Sequence, residues 1–188
     1  APALSPDGRQ IAFRSERDGG GIFVMGRTGD SVRRVTDEGQ NPSWSPDGQF
    51  LAVTSEPIDE TPLSRTSVSS LTVVSMADGT RRVLPTGDAV QATWSPDGRF
   101  LAFTSRRNDQ NGPKKGESTL HIMPIAQPGE TRQLCSMPDG LGDLAWSPDG
   151  STIAFTSRTQ DHRYTKESVA WQAPRKVERF FSRLNGED

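Results

Sequence analysis

Trp94-Ser-Pro-Asp-Gly98 and the Leu101-Ala-Phe103 run after it are one of four copies of the same phrase. The others are Leu4-Ser-Pro-Asp-Gly8 with Ile11-Ala-Phe13, Trp44-Ser-Pro-Asp-Gly48 with Leu51-Ala-Val53, and Trp146-Ser-Pro-Asp-Gly150 with Ile153-Ala-Phe155. A serine follows each run at one offset: Ser15, Ser55, Ser105 and Ser157. The turn aspartates stand 40, 50 and 52 residues apart. Proline presets φ for the first central position of a type I turn. Aspartate suits the second, where its carboxylate accepts backbone N–H bonds. Glycine takes the left-handed conformation that closes a hairpin with a bulge. Each copy therefore predicts a hairpin tip between two antiparallel strands.

A third strand follows in the first three units, at Ile22-Phe-Val-Met25, Leu71-Thr-Val-Val74 and Leu120-His-Ile-Met123. Second turns at Thr28-Gly-Asp30, Ala77-Asp-Gly79 and Gln127-Pro-Gly129 lead to fourth strands at Val32-Arg-Arg-Val35, Arg81-Arg-Val-Leu84 and Thr131-Arg-Gln-Leu134. Four short strands per unit, recurring every 40 to 50 residues, are the pattern of a propeller blade. The fold class is all-β: a β-propeller segment of about four four-stranded antiparallel blades, in an incomplete ring. The expected blades are about 1–38, 39–86, 87–137 and 138–188, the last incomplete or irregular, with Val177-Glu-Arg-Phe-Phe181 as a strand starting or completing a blade. One blade cannot cover both its faces, so stacking supplies the core. Trp44, Trp94 and Trp146 are placed to pack between neighbours. The loops after the second strand are long in three units, at about 56–69, 106–117 and 158–173, and short only at 16–21. These loops read either as one elaborated face that carries contacts or as drift tolerated in exposed segments.

Bulk properties narrow the function. Lys and Arg total 22 against 24 Asp and Glu, for a net charge of −2, so no wide basic field exists for nucleic acid. The most basic stretch, Arg175, Lys176, Arg179 and Arg183, reads as a solvated strand edge. A mean hydropathy of −0.66 fits short strands joined by polar turns, and no apolar run is long enough for a membrane helix. The lone Cys135 excludes an internal disulfide and a cysteine metal cluster, and reads as a small packing residue. The chain opens at Ala1 with neither an initiator Met nor a secretory leader, which reads as a piece of a longer protein.

No catalytic, metal or cofactor site is expected. His121 falls in a strand and reads as a packing residue; His162 falls in a polar loop and reads as a surface one. No Gly-x-Ser-x-Gly elbow occurs. Gly29-Asp-Ser-Val-Arg33 and Gly116-Glu-Ser-Thr-Leu120 begin that pattern, lack its last glycine, and read as turns entering strands. Gly19-Gly-Gly21 precedes a strand rather than a helix, so it is no phosphate loop. Asp7, Asp47, Asp97 and Asp149 sit on separate blades and read as turn residues, not paired acids. Asn41-Pro-Ser43 is no glycosylation site, because proline fills its middle position.

The Trp-Ser-Pro-Asp-Gly phrase with its Ile/Leu-Ala-Phe/Val strand resembles the propeller repeat of two groups. One is the TolB-like periplasmic proteins. The other is the N-terminal propeller of prolyl oligopeptidase-family serine peptidases, above all the acylaminoacyl-peptidase branch. Ile22-Phe-Val-Met25 through Arg33-Arg-Val-Thr36 suits either. Leu120-His-Ile-Met-Pro-Ile125 through Gly129-Glu-Thr-Arg-Gln-Leu134 is similar to the peptidase branch. So is Pro174-Arg-Lys-Val-Glu-Arg-Phe-Phe-Ser-Arg-Leu-Asn-Gly186, with Asn185 in place of the usual Asp. The peptidase resemblance implies a cytoplasmic propeller that restricts substrate access and docks a C-terminal α/β-hydrolase domain holding the Ser-Asp-His triad. None of that triad lies in this chain. Its implied partners are that domain or a self-association partner, and a peptide substrate, with no nucleic acid, membrane or cofactor. The TolB resemblance implies instead a periplasmic protein-interaction propeller.

Overall fold

The computed structural model describes residues 1–55, 69–86, 88–105, 118–126, 131–138, 140–159 and 176–183. They form four antiparallel sheets, each a simple meander. The first holds β1 (Ala3–Leu4), β2 (Gln10–Arg14), β3 (Ile22–Gly26) and β4 (Arg33–Arg34). The second holds β5 (Gln40–Trp44), β6 (Phe50–Ser55), β7 (Ser70–Ser75) and β8 (Arg81–Leu84). The third holds β9 (Ala89–Trp94), β10 (Phe100–Ser105), β11 (Ser118–Pro124) and β12 (Arg132–Met137). The fourth holds β13 (Leu141–Trp146), β14 (Thr152–Thr159) and β15 (Lys176–Arg183). The chain is thus all-β, an incomplete propeller, with one 3-10 turn at Arg17–Gly19 and no α-helix among the described residues.

The apolar runs became the middle strands, where both faces are covered. Leu51, Ala52 and Val53 are fully buried, as are Leu101, Ala102 and Phe103. Such strands read as continuous hydrophobic runs because a blade has a neighbour on each side. The outer strands of the first sheet, β1 and β4, have only two residues each. Val32, expected in the fourth strand of the first unit, lies outside β4 and is 40% exposed. The 177–181 segment joins the fourth sheet as its third described strand: β15 runs antiparallel to β14, from Thr152 opposite Arg183 to Thr159 opposite Lys176. The fourth sheet therefore has three strands among the described residues, against the four expected of a full blade. The turn expected at 127–129 and nearly all of the three long loops lie outside the described residues.

The sheets stack in chain order, and the first strand of each sheet makes the contacts to the sheet before it. β5 lies on β1 and β2; β9 lies on β5, β6 and β7; β13 lies on β9, β10 and β11. First strands therefore gather at a hub, and fourth strands lie at the rim. The core consists of what is trapped between sheets. Ala12, Ile22 and Val24 of the first sheet meet Trp44, Leu51, Val53 and Val74 of the second. Ala52, Leu71 and Val73 of the second meet Trp94, Leu101, Phe103 and Met123 of the third. Ala102, Leu120 and Ile122 of the third meet Ile153 and Phe155 of the fourth. Each large apolar side chain removed from water here contributes roughly 1.5–3 kcal/mol.

Candidate functional site

The four Ser-Pro-Asp-Gly turns share one hydrogen-bond pattern. The serine hydroxyl donates to the aspartate at 2.6 Å (Ser5, Asp7), 2.5 Å (Ser45, Asp47), 2.6 Å (Ser95, Asp97) and 2.5 Å (Ser147, Asp149). The same aspartate oxygen accepts the N–H of the residue after glycine, from Arg9, Gln49 and Arg99 at 3.0 Å and from Ser151 at 3.1 Å. The serine oxygen in turn accepts the N–H of the returning strand, from Gln10 at 2.8 Å, Phe50 and Phe100 at 2.9 Å and Thr152 at 3.0 Å. Glycine φ values of +69° to +71° close each turn in the left-handed region. The sequence explains Pro, Asp and Gly by turn chemistry; the bridging role of serine emerges only in the folded turn.

These bonds decide what the aspartates can do. The Ser95 hydroxyl, then the Arg99 N–H, hold Asp97 at about 2, and the Ser147 hydroxyl and the Ser151 N–H hold Asp149 at about 2. Asp7 is lowered for the same reason, first by Ser5. A carboxylate stabilised as an anion by donated hydrogen bonds is a poor proton donor at neutral pH.

The turns also interlock from sheet to sheet. A Cβ placed on Gly48 would stand 3.8 Å from the Pro6 ring, one on Gly98 3.6 Å from Pro46, and one on Gly150 3.7 Å from Pro96. One residue before each turn, tryptophan donates its indole N–H to the preceding first strand: Trp44 to the Ala3 carbonyl at 3.1 Å, Trp94 to Ser43 at 3.0 Å and Trp146 to Thr93 at 3.4 Å. The first sheet has Leu4 at this place, 58% exposed, and no described atom lies within 4 Å of a Cβ on Gly8. At the rim, Arg81 donates to Asp37 at 3.1 Å and to the Val35 carbonyl at 3.0 Å, and Arg82 donates to the Ile125 carbonyl at 3.0 Å.

Other sequence candidates fall where packing needs them. His121 is buried on β11, its ring stacked 5.5 Å from Phe103. Its Nε2 lies 2.7 Å from the Thr119 hydroxyl, which donates its own proton to the Ser105 carbonyl at 3.2 Å. Cys135 is half-buried, and burial raises its thiol pKa. Asp30 caps its turn through Thr28 and through Ser31 at 3.0 Å, so Ser31 belongs to a turn. A Cβ on Gly21 would meet the Thr36 carbonyl at 2.0 Å, which makes this glycine a point of close backbone approach. His162 and Arg175 lie outside the described residues. Among those described, no three His, Cys, Asp or Glu side chains gather where they could hold a metal.

Two features went unseen in the sequence. One is a groove of about 1180 Å³ between the third and fourth sheets, bordered by Phe100, Ile122, Pro124, Arg132, Pro148 and Asp149. The Arg99 guanidinium lies 5.9 Å from the Phe100 ring centre beside it. The other is a set of bulges. The register of β5, β9 and β13 breaks at one place, and Asn41, Gln91 and Asp143 there have φ of +50°, +53° and +44°. Their common offset, three residues before each tryptophan, was the signal available.

No protein-family model matches the chain. The uncharacterized peptidase YuxL of Bacillus subtilis (strain 168) is 27% identical over 161 residues, covering 83% of this chain and 21% of its own length. The chain thus spans about a fifth of the curated relative it matches. Among solved structures, a TolB from Agrobacterium tumefaciens superposes with a TM-score of 0.69 at 20% identity, over 97% of this chain and 60% of that one. The Pyrococcus horikoshii acylaminoacyl peptidase superposes with a TM-score of 0.59 at 15% identity, over 86% and 28%. The chain is a β-propeller segment, similar in sequence to a bacterial peptidase and in fold to the propellers of TolB and acylaminoacyl peptidase.

Proposed function

We propose that this chain is the non-catalytic propeller portion of a serine peptidase of the prolyl oligopeptidase or acylaminoacyl-peptidase type. In this reading it restricts substrate access and docks a hydrolase domain, and the blades divide near 38, 86 and 137. The observation that carries it is the similarity to a peptidase along 83% of this chain but only 21% of that protein. The rest of such a protein has ample length for the chemistry. The interlocked turns and hydrogen-bonded aspartates supply rigidity rather than acids or bases, which suits a scaffold. The location under this reading is cytoplasmic.

The test is the full-length parent protein, assayed on an N-acetylated peptide p-nitroanilide. Hydrolysis, and its loss when the serine of a Gly-x-Ser-x-Gly elbow outside residues 1–188 is changed to alanine, is the expected result. A parent with no such elbow and no hydrolysis refutes the reading. The TM-score of 0.69 to a TolB favours a second reading, a periplasmic propeller that engages protein partners. A secretory leader and a parent ending within a few more blades would favour it over the first.

A further inference from the structure

Asn41, Gln91 and Asp143 occupy one place in three successive hub strands. All three are exposed, all have left-handed backbone, and each marks the break in register between the first and second strands of its sheet. β9 lies against both β5 and β13, and the equal offsets give the three residues the same position in these neighbouring hub strands. A bulge alone does not demand these side chains. Glycine fills the left-handed turn position in all four hairpins and would form the bulge without steric cost. Asparagine and aspartate tolerate that backbone through their short polar side chains; glutamine has no such excuse and bears the strain outright. Strain of this kind, about 1–3 kcal/mol per residue, concentrates where a side chain must be aimed.

The side chains have a shared chemistry. Asn41 and Gln91 each carry an amide, with the same N–H donor and C=O acceptor as a peptide unit. Asp143 adds an acceptor, steadied at 3.3 Å by the Thr156 hydroxyl. We propose that Asn41, Gln91 and Asp143 form a polar arc at the hub that holds the backbone of an extended polypeptide. The two amides pair with its N–H and C=O groups, and Asp143 takes a further N–H or a terminal ammonium. In the peptidase reading that polypeptide is substrate; the binding itself requires no hydrolysis.

The test uses the full-length parent protein and a fluorescein-labelled dodecapeptide of glycine, serine and alanine, followed by fluorescence anisotropy with its integrity checked by mass spectrometry. The triple variant Asn41→Gly, Gln91→Gly, Asp143→Gly keeps the bulges and removes the side chains. It should bind at least 10-fold more weakly while unfolding at an equal or higher denaturant concentration. The same peptide N-methylated at alternate residues should bind the unaltered protein more weakly. If the triple variant unfolds, Gln91→Gly alone is read, with the same sign expected. Equal binding by the variant, indifference to N-methylation, or no binding by the unaltered protein at millimolar concentration each overturns the proposal. Peptidase activity is scored separately, so loss of one reading leaves the other standing.

Discussion

The junction between the second and third sheets and the junction between the third and fourth use the same five-residue phrase, but they close differently. At both, the turn glycine faces the previous proline, and a Cβ on it would stand 3.6 or 3.7 Å from the proline ring. Above that shared contact they diverge. Trp94 is 6% exposed, its indole donates at 3.0 Å, and the Phe50 ring stacks 6.4 Å from it. Trp146 is only half-buried and its indole bond is longer, at 3.4 Å. Phe100, which stands two residues after its glycine as Phe50 does, borders the groove with Arg99 beside it. The turn interlock is local and repeats wherever the phrase repeats. Aromatic closure depends on what the neighbouring sheet offers.

That contrast can be broken by substitution. Trp94→Ala should cost about 3–5 kcal/mol, the range for truncating a buried aromatic, and Trp146→Ala roughly half as much. Urea unfolding of both variants gives the comparison, and equal losses would erase it. A smaller gap is expected in the turns. Ser95 is 2% exposed, so Ser95→Ala leaves Asp97 and the Phe100 N–H short of a partner and should cost about 1–2 kcal/mol. Ser147→Ala should cost less, because water reaches that half-buried turn and replaces the hydroxyl.

Where the junctions agree, substitutions should agree. Gly98→Ala and Gly150→Ala both place a Cβ at an ordinary distance from proline, so each should lose only the left-handed backbone penalty, about 1 kcal/mol. A much larger loss at either position would mean that glycine and proline approach more closely than these distances. The smallest effect is that of acid. Asp97 and Asp149 are held at about 2, below the ordinary carboxylate value of 3.8, so their contribution is present above that value. It is lost as pH falls through the folded value near 2. Stability measured by urea should therefore decline between about pH 4 and pH 2. Asp149→Asn should flatten that decline slightly, since an exposed group is screened. A variant with an unchanged acid profile would show that the turn bonds add nothing to ionisation.

Much of the fold was legible because its signals are local. Pro, Asp and Gly each have a steric or hydrogen-bonding reason to sit where they do, so the hairpins could be read directly. The runs at Leu51-Ala-Val53 and Leu101-Ala-Phe103 gave the middle strands, since few other settings bury three consecutive apolar residues. The short β4 was less legible: Val32 is apolar, yet only Arg33 and Arg34 pair with β3. With both of its residues exposed, β4 has no burial to enforce a pattern on it. The candidate site was less legible again. The bulge residues carry no hydrophobic signal, and the groove exists only between separate units.

The Ser-Pro-Asp-Gly phrase, by itself, determined the hairpins, their period and hence an incomplete propeller of stacked sheets. It could do so because a tight turn is set by the sterics of four or five consecutive residues. Tertiary structure alone decided how far each tryptophan is covered, where the groove opens, and that the strands bearing Asn41, Gln91 and Asp143 lie beside one another at the hub. Those properties depend on residues some fifty positions apart in the chain, brought together only when one sheet lies on the next.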